Sequence, residues 1–129
     1  MNAQRTTIHS DRAPAPVGPY SQAVATGGML FVSGQLGMDA TSGELASGVE
    51  EQTRLALKNL VAILQDAGSS PEQVVKTTCF LADMDDFPRF NAIYGEVFSA
   101  DPPARSCIAV KTLPKHALVE VEAIALTSR

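Results

Sequence analysis

An α+β domain is what the sequence predicts, and three observations predict it. Short runs rich in apolar and β-branched residues, Met29 to Gly34 and Val74 to Leu81, are bounded by Gly and polar clusters and read as buried strands. Two segments, Val49 to Ala67 and Asp86 to Ser99, repeat apolar residues at helical spacing. The chain then closes with two further strand-like runs, Ala104 to Val110 and Ala117 to Leu126, so the helices are enough to cover one face of a sheet and no more.

The 129 residues fit a single domain over 1–129, with no internal repeat or low-complexity segment. Hydrophobic residues make up 45% and charged residues 19%, enough apolar material for a core and enough charge for solubility. The net charge of −4 argues against a protein that grips nucleic acid through phosphates, and no run of Lys and Arg supplies a local basic patch. From Met1 to Thr26 there is no continuous apolar stretch, so no secretory signal is read, and no run is long enough to cross a bilayer. Cys79 and Cys107 lie far apart and form no CxxC pair; a reduced, cytoplasmic setting follows as the expectation. His9 and His116 stand alone, without the spacing of metal ligands, and no metal site is expected.

Taking the elements in order, Ala13-Pro14-Ala15-Pro16-Val17-Gly18-Pro19 is too short to link domains and reads as a semi-rigid extended turn leading into Tyr20. Gly37 to Gly48 is a loop by composition. In the first helix Val49, Thr53, Ala56, Leu57, Leu60, Val61 and Leu64 form one face, with Glu50, Glu51, Arg54, Lys58 and Gln65 opposite. Acidic residues occupy its first turn, where they suit the helix dipole, and Gly68 is placed to cap its end. In the second helix Asp85 is read as the N-cap, Pro88 is tolerated in the first turn, and Phe87, Phe90, Ile93, Tyr94, Val97 and Phe98 supply the apolar face. Cys107, Ile108, Ala109 and Val110 are apolar on both sides of the pleat, as is much of Leu118 to Ile124. A sheet apolar on both faces with helices for only one needs a partner surface, which favours an oligomer.

Period-two alternation puts Arg105 and Cys107 on one face of their strand, and Glu120 and Glu122 on one face of theirs. Arg105 offers a planar fork of donors matched to a carboxylate, although the residues alone equally allow an ordinary Arg–Glu pair. Glu120 has the chemistry to orient or deprotonate water, with an apolar setting raising its pKa and a nearby Arg lowering it; a charge-neutralising carboxylate is the plainer alternative. Cys107 reads as strand filler rather than nucleophile, and Cys79 as core or surface. Tyr20 can line a pocket mouth, and the strand end at Ser33-Gly34 can meet an anion.

Together these segments resemble the RidA/YjgF family. The matching stretches are Ala15 to Ala23, Phe31-Val32-Ser33-Gly34-Gln35, Glu51-Gln52-Thr53-Arg54, Val74 to Thr78, Asp83 to Phe87, Asn91, Pro103-Ala104-Arg105-Ser106-Cys107, and Leu113-Pro114-Lys115 through Glu120 to Ala125, in order over nearly the whole chain. The resemblance implies a chorismate-mutase-like α+β fold assembled as a barrel-like homotrimer with a pocket at each subunit interface. It implies hydrolytic deamination of reactive 2-imino and 2-enamino acids, such as 2-iminobutanoate and 2-iminopropanoate, to 2-keto acids and ammonia, with no cofactor and no metal. Arg105 would bind the substrate carboxylate; Glu120 and the backbone around Cys107 would hold the imine nitrogen and the attacking water. Tyr20, Ser33, Gly34 and Asn91 match positions that shape or support the pocket. Two alternatives stand beside this: a non-enzymatic small-carboxylate-binding or chaperone-like member of the family, which the fold alone does not exclude, and an endoribonuclease, as some members have been described. Retention of Arg105 favours the deaminase over the first, and the acidic balance weighs against the second. Two features depart from the family pattern, the short Ala100-Asp101-Pro102-Pro103 loop and Gly37-Met38-Asp39, and both bear on substrate preference.

Overall fold

The computed structural model describes residues 4–128; the first three residues of the amino-terminal segment and Arg129, the end of the expected single domain, lie outside the described residues. The strands are β1 (Thr6–Ile8), β2 (Ala23–Thr26), β3 (Met29–Leu36), β4 (Val74–Leu81), β5 (Ala104–Ala109) and β6 (Val119–Leu126), with helices α1 (Gly48–Asp66) and α2 (Phe87–Val97). All six strands join one sheet in the order β1-β2-β3-β6-β4-β5. Every neighbouring pair is antiparallel except β4 and β5, which run parallel. A parallel pair cannot be closed by a tight turn, and α2 is the crossover that joins it.

The expected strands and helices are present, with ends moved by a residue or two. Two strands, β1 and β2, are additional to those that periodicity predicts. The residues Ala23-Val24-Ala25-Thr26 have little intrinsic strand preference, and it is the hairpin with β3 that makes them extended. Gly27 and Gly28 turn that hairpin with φ of +56° and +78°, the positive pair that a two-residue turn demands.

Helix α1 ends as its Gly68 suggests. Gly68 adopts φ +81°, and its amide donates to Gln65 O (3.1 Å) while Ser69 N donates to Leu64 O (2.8 Å), so the carbonyls left over at the helix end are satisfied. Helix α2 begins differently from the expectation. A 3-10 turn, Met84–Asp86, precedes it, and the capping carboxylate is that of Asp83, which accepts from Asp85 N at 2.8 Å. Asp85 is therefore the capped residue and not the cap.

Both helices lie on one face of the sheet. Leu57, Leu60, Ile63 and Leu64 of α1 and Phe90 and Ile93 of α2 pack with Leu30, Val32, Leu81, Val121 and Ala123 from the strands in a single core cluster. Burying each of the large side chains contributes about 2 kcal/mol of transfer free energy. The opposite face of the same strands carries Phe31, Ile108 and Leu126, which are 45%, 49% and 46% exposed, so the sheet has an apolar face that its own helices leave open.

Candidate functional site

The seven residues singled out in the sequence fall into two groups, and the sheet separates them. Arg105, Cys107 and Asn91 are on the helix side, at the β5 edge. Tyr20, Ser33, Gly34 and Glu120 line a cleft of about 590 Å³ on the open side.

The first group is ordered by register. Parallel pairing puts Arg105 beside Thr77 and Cys107 beside Cys79, with all four on the face that α2 covers. Two turns of α2 then supply the surroundings of the guanidinium: Asn91 Oδ1 accepts from Arg105 Nη1 at 2.8 Å, and the Tyr94 and Phe87 ring centres stand 4.7 Å and 5.4 Å from Cζ. Cation–π attraction and one neutral hydrogen bond hold the fork. Arg105 forms no ion pair with a carboxylate among the described residues, so the ordinary Arg–Glu pair open on sequence grounds is not what the protomer builds. Burial pushes the Cys107 thiol up, and the nearby Arg105 charge only partly offsets it; a thiol held neutral is a poor nucleophile. Cys79, fully buried beneath it, is pushed up to about 12 by the same cause.

The second group is built by a β-bulge. The β3–β6 register shifts between Val32 and Gln35, which takes Ser33 and Gly34 out of ladder pairing at the point where β3 passes Glu120. A side chain at position 34 would lie 2.8 Å from Glu120 Cδ and 3.0 Å from its Cγ, so glycine is what lets the carboxylate rest against the backbone. Ser33 Oγ donates to Ser21 O at 2.6 Å, which fixes the hydroxyl and leaves its oxygen as an acceptor. The Pro-rich segment forms the wall that carries Tyr20, and buried Gln22 holds it there by donating to Ser10 O (3.1 Å) and Pro14 O (2.9 Å).

Burial raises the pKa of Glu120, and the neighbouring Glu122 carboxylate raises it further. Within one protomer the opposing influence of an arginine, expected from sequence, is missing because Arg105 faces the other side. The far wall of the cleft is the Pro114–His116 turn, where Lys115 and His116 both adopt positive φ, +59° and +55°. Lys115 Nζ donates to Gly43 O at 3.0 Å, tying this strained turn to the 37–48 loop.

Sequence reasoning missed the side chains that hold these walls. Gln52 Nε2 donates to Ala46 O (3.0 Å) and its Oε1 accepts from Leu118 N (2.8 Å), while Asn59 Nδ2 donates to Leu36 O (3.1 Å) and Met38 O (2.9 Å). Both amides are buried on α1. Their signal is a polar residue on the apolar stripe of an amphipathic helix, which calls for a specific partner. Among the described residues no group of three His, Cys, Asp or Glu side chains is placed to hold a metal ion, and no helix is long and apolar enough to cross a membrane.

Comparison with known proteins gives this geometry relatives. The family model described as Endoribonuclease L-PSP matches residues 10–127. The human protein named 2-iminobutanoate/2-iminopropanoate deaminase is 46% identical over 123 residues, covering 95% of this chain and 90% of that one. The crystal structure of E. coli TdcF with bound serine superposes with a TM-score of 0.92 at 41% identity, over 95% of this chain and 99% of that one. RidA from the Antarctic bacterium Psychrobacter sp. gives a TM-score of 0.92 at 41% identity, over 94% and 98%. With matches of this extent in sequence and in backbone, the chain belongs to the RidA/YjgF family.

Proposed function

We propose that the chain hydrolyses 2-imino and 2-enamino acids, 2-iminobutanoate and 2-iminopropanoate among them, to 2-keto acids and ammonia. The observation that carries this reading is Arg105: a guanidinium fixed by two rings and an amide, with no carboxylate partner among the described residues, is prepared for the carboxylate of a ligand. The deaminase name of the human relative and the serine bound to TdcF, a small acid with nitrogen on C2, both support a small 2-substituted acid as substrate.

The chemistry asks little beyond placement. A protonated imine is already electrophilic at C2, so water adds there without a metal or a covalent cofactor. Glu120 takes a proton from the attacking water and returns it to the amine nitrogen of the carbinolamine; the bond from C2 to that nitrogen then breaks as the C2 hydroxyl becomes the keto carbonyl, its proton passing by way of Glu120 to the departing ammonia. Ser33 Oγ, with its proton committed to Ser21 O, is an acceptor for the iminium N–H. Tyr20 walls the cleft. The Cys107 segment lines the substrate's other side, its thiol binding and not attacking.

A single subunit keeps Arg105 and Glu120 apart, so the working site takes the Arg105 edge of one copy and the Glu120 cleft of the next. The open apolar face gives the copies a surface to share. A homotrimer in the cytoplasm, with three such sites and no cofactor, is the assembly we infer; two free cysteines suit a reducing compartment.

The deciding experiment generates 2-iminobutanoate in place with threonine dehydratase and follows keto-acid release against a semicarbazide trap. Wild type is expected to outcompete the trap and Arg105→Ala to lose about a hundredfold in kcat/KM, since a desolvated carboxylate would lose both arms of its fork. Failure of the wild type to beat the trap would refute the deaminase reading and bring forward a carboxylate-binding role.

A further inference from the structure

The α2 side of β4 and β5 contains a hydroxyl pair that packing alone does not require. Thr77, fully buried, is the register partner of Arg105 on the adjacent parallel strand. Its Oγ1 lies 2.7 Å from Tyr94 Oη, and the Tyr94 ring is the surface on which Arg105 rests, 4.7 Å from Cζ. The ring is held from behind by Phe98, centroid to centroid 4.7 Å, and by Phe90 at 5.6 Å. A Val and a Phe would fill the same space with less polar surface to bury. What the hydroxyls add is direction: they fix how far the ring reaches along the sheet, and hence where the guanidinium can lie.

We propose that Thr77 and Tyr94 are positioning residues for Arg105, a strand-to-helix tie that sets the guanidinium plane for the substrate carboxylate. Three supports converge on one side chain. The ring takes its flat face, Asn91 Oδ1 takes one Nη1 hydrogen, and the Thr77 hydroxyl keeps the ring from swinging away. Among the described residues the other N–H groups of the fork have no hydrogen-bond acceptor, which leaves them to a ligand. Because carboxylate binding is made alike in the ground state and the transition state, loosening the tie raises KM and leaves kcat nearly unchanged. The inference rests on Arg105 being the carboxylate anchor of an imine deaminase.

The test uses the full-length protein, with Thr77→Val, Thr77→Ser and Tyr94→Phe beside wild type and Arg105→Lys. Two readouts are taken: KM and kcat for 2-iminobutanoate, and the Arg105 Nε–Hε resonance, assigned by its loss in Arg105→Lys and displaced by the ring current of Tyr94. Thr77→Val and Tyr94→Phe are expected to raise KM about fivefold, the scale of one hydrogen bond, with kcat held, and to move the Arg105 resonance toward that of a free arginine. Thr77→Ser restores both. An unmoved resonance with wild-type KM in folded Thr77→Val overturns the proposal, as does a loss that Thr77→Ser leaves in place. Should Thr77→Val not fold, Tyr94→Phe keeps the ring and decides the matter by the same two readouts. A wild type without imine turnover counts against the deaminase reading alone, since the Arg105 resonance still reports whether the tie positions it.

Discussion

Arg105 and Glu120 stand on opposite faces of one sheet, two strands apart, with β4 between them. Arg105 shares its face with Thr77 and the buried Ala123, whereas Glu120 shares its own with Phe80 and Ile108. No side-chain rotation brings the two together, because a backbone layer intervenes. If both act on one substrate, they come from different copies of the chain. Mixed oligomers test this directly. Arg105→Ala and Glu120→Gln are each expected to lose about a hundredfold in kcat/KM, and assembling the two together is expected to recover activity where an intact Arg105 edge meets an intact Glu120 cleft. Mixed assemblies as inactive as the separate variants would place both residues in one subunit's site.

Gly34 gives a second prediction. A methyl group there would meet Glu120 at Cδ, 2.8 Å away, so Gly34→Ala displaces the carboxylate from the bulge. The backbone at position 34 has no positive φ to lose, and the fold is expected to survive. Turnover is expected to fall about a hundredfold, the scale of general acid–base catalysis, while the oligomeric mass is unchanged. Wild-type kcat in a folded Gly34→Ala would mean that Glu120's resting position is irrelevant to the reaction.

Asn59 couples stability to the cleft. Its amide satisfies the carbonyls of Leu36 and Met38, where β3 leaves the sheet and becomes the loop that lines the pocket. Asn59→Leu keeps the branched shape and heavy-atom count but strands both carbonyls, a cost of about 2 kcal/mol. Chemical denaturation is expected to show that loss together with reduced turnover. Stability equal to wild type would show that the loop finds other donors.

Much of this is legible in the sequence because periodicity reports burial. The helices, the long strands and the pairing of Arg105 with Cys107 on one face all follow from spacing. Strand β2 is not legible, since Ala23 to Thr26 becomes extended only through its partner; the Gly27-Gly28 pair is the available sign, and by itself it marks a strand boundary as readily as a hairpin turn. The Asp83 cap is hidden among three candidate carboxylates within four residues, which only backbone geometry distinguishes. The faces of Arg105 and Glu120 relative to each other are not legible at all. Alternation orders residues within a strand, but the relation between strands depends on register, and register is a tertiary property.

The pH dependence follows from Glu120. Within the protomer its pKa is raised first by burial and then by Glu122, with the Arg105 of a neighbouring copy the opposing charge in the assembly; a general base works only when unprotonated, so activity is expected to fall on acidification through the Glu120 pKa. Glu122→Gln removes the second cause and is expected to move the acid limb to lower pH, with kcat on the plateau retained. The same shift has a consequence for stability. A carboxyl whose folded pKa lies above its unfolded one binds protons more tightly when folded, so its contribution is fully present in acid and is lost as pH rises through the folded pKa. Glu120→Gln, which cannot ionise, is therefore expected to melt above wild type at neutral and alkaline pH, with the difference closing in acid. Thermal melts across pH check this, and a difference that widens toward acid would mean that Glu120 is stabilised as the anion and that its burial does not set its charge.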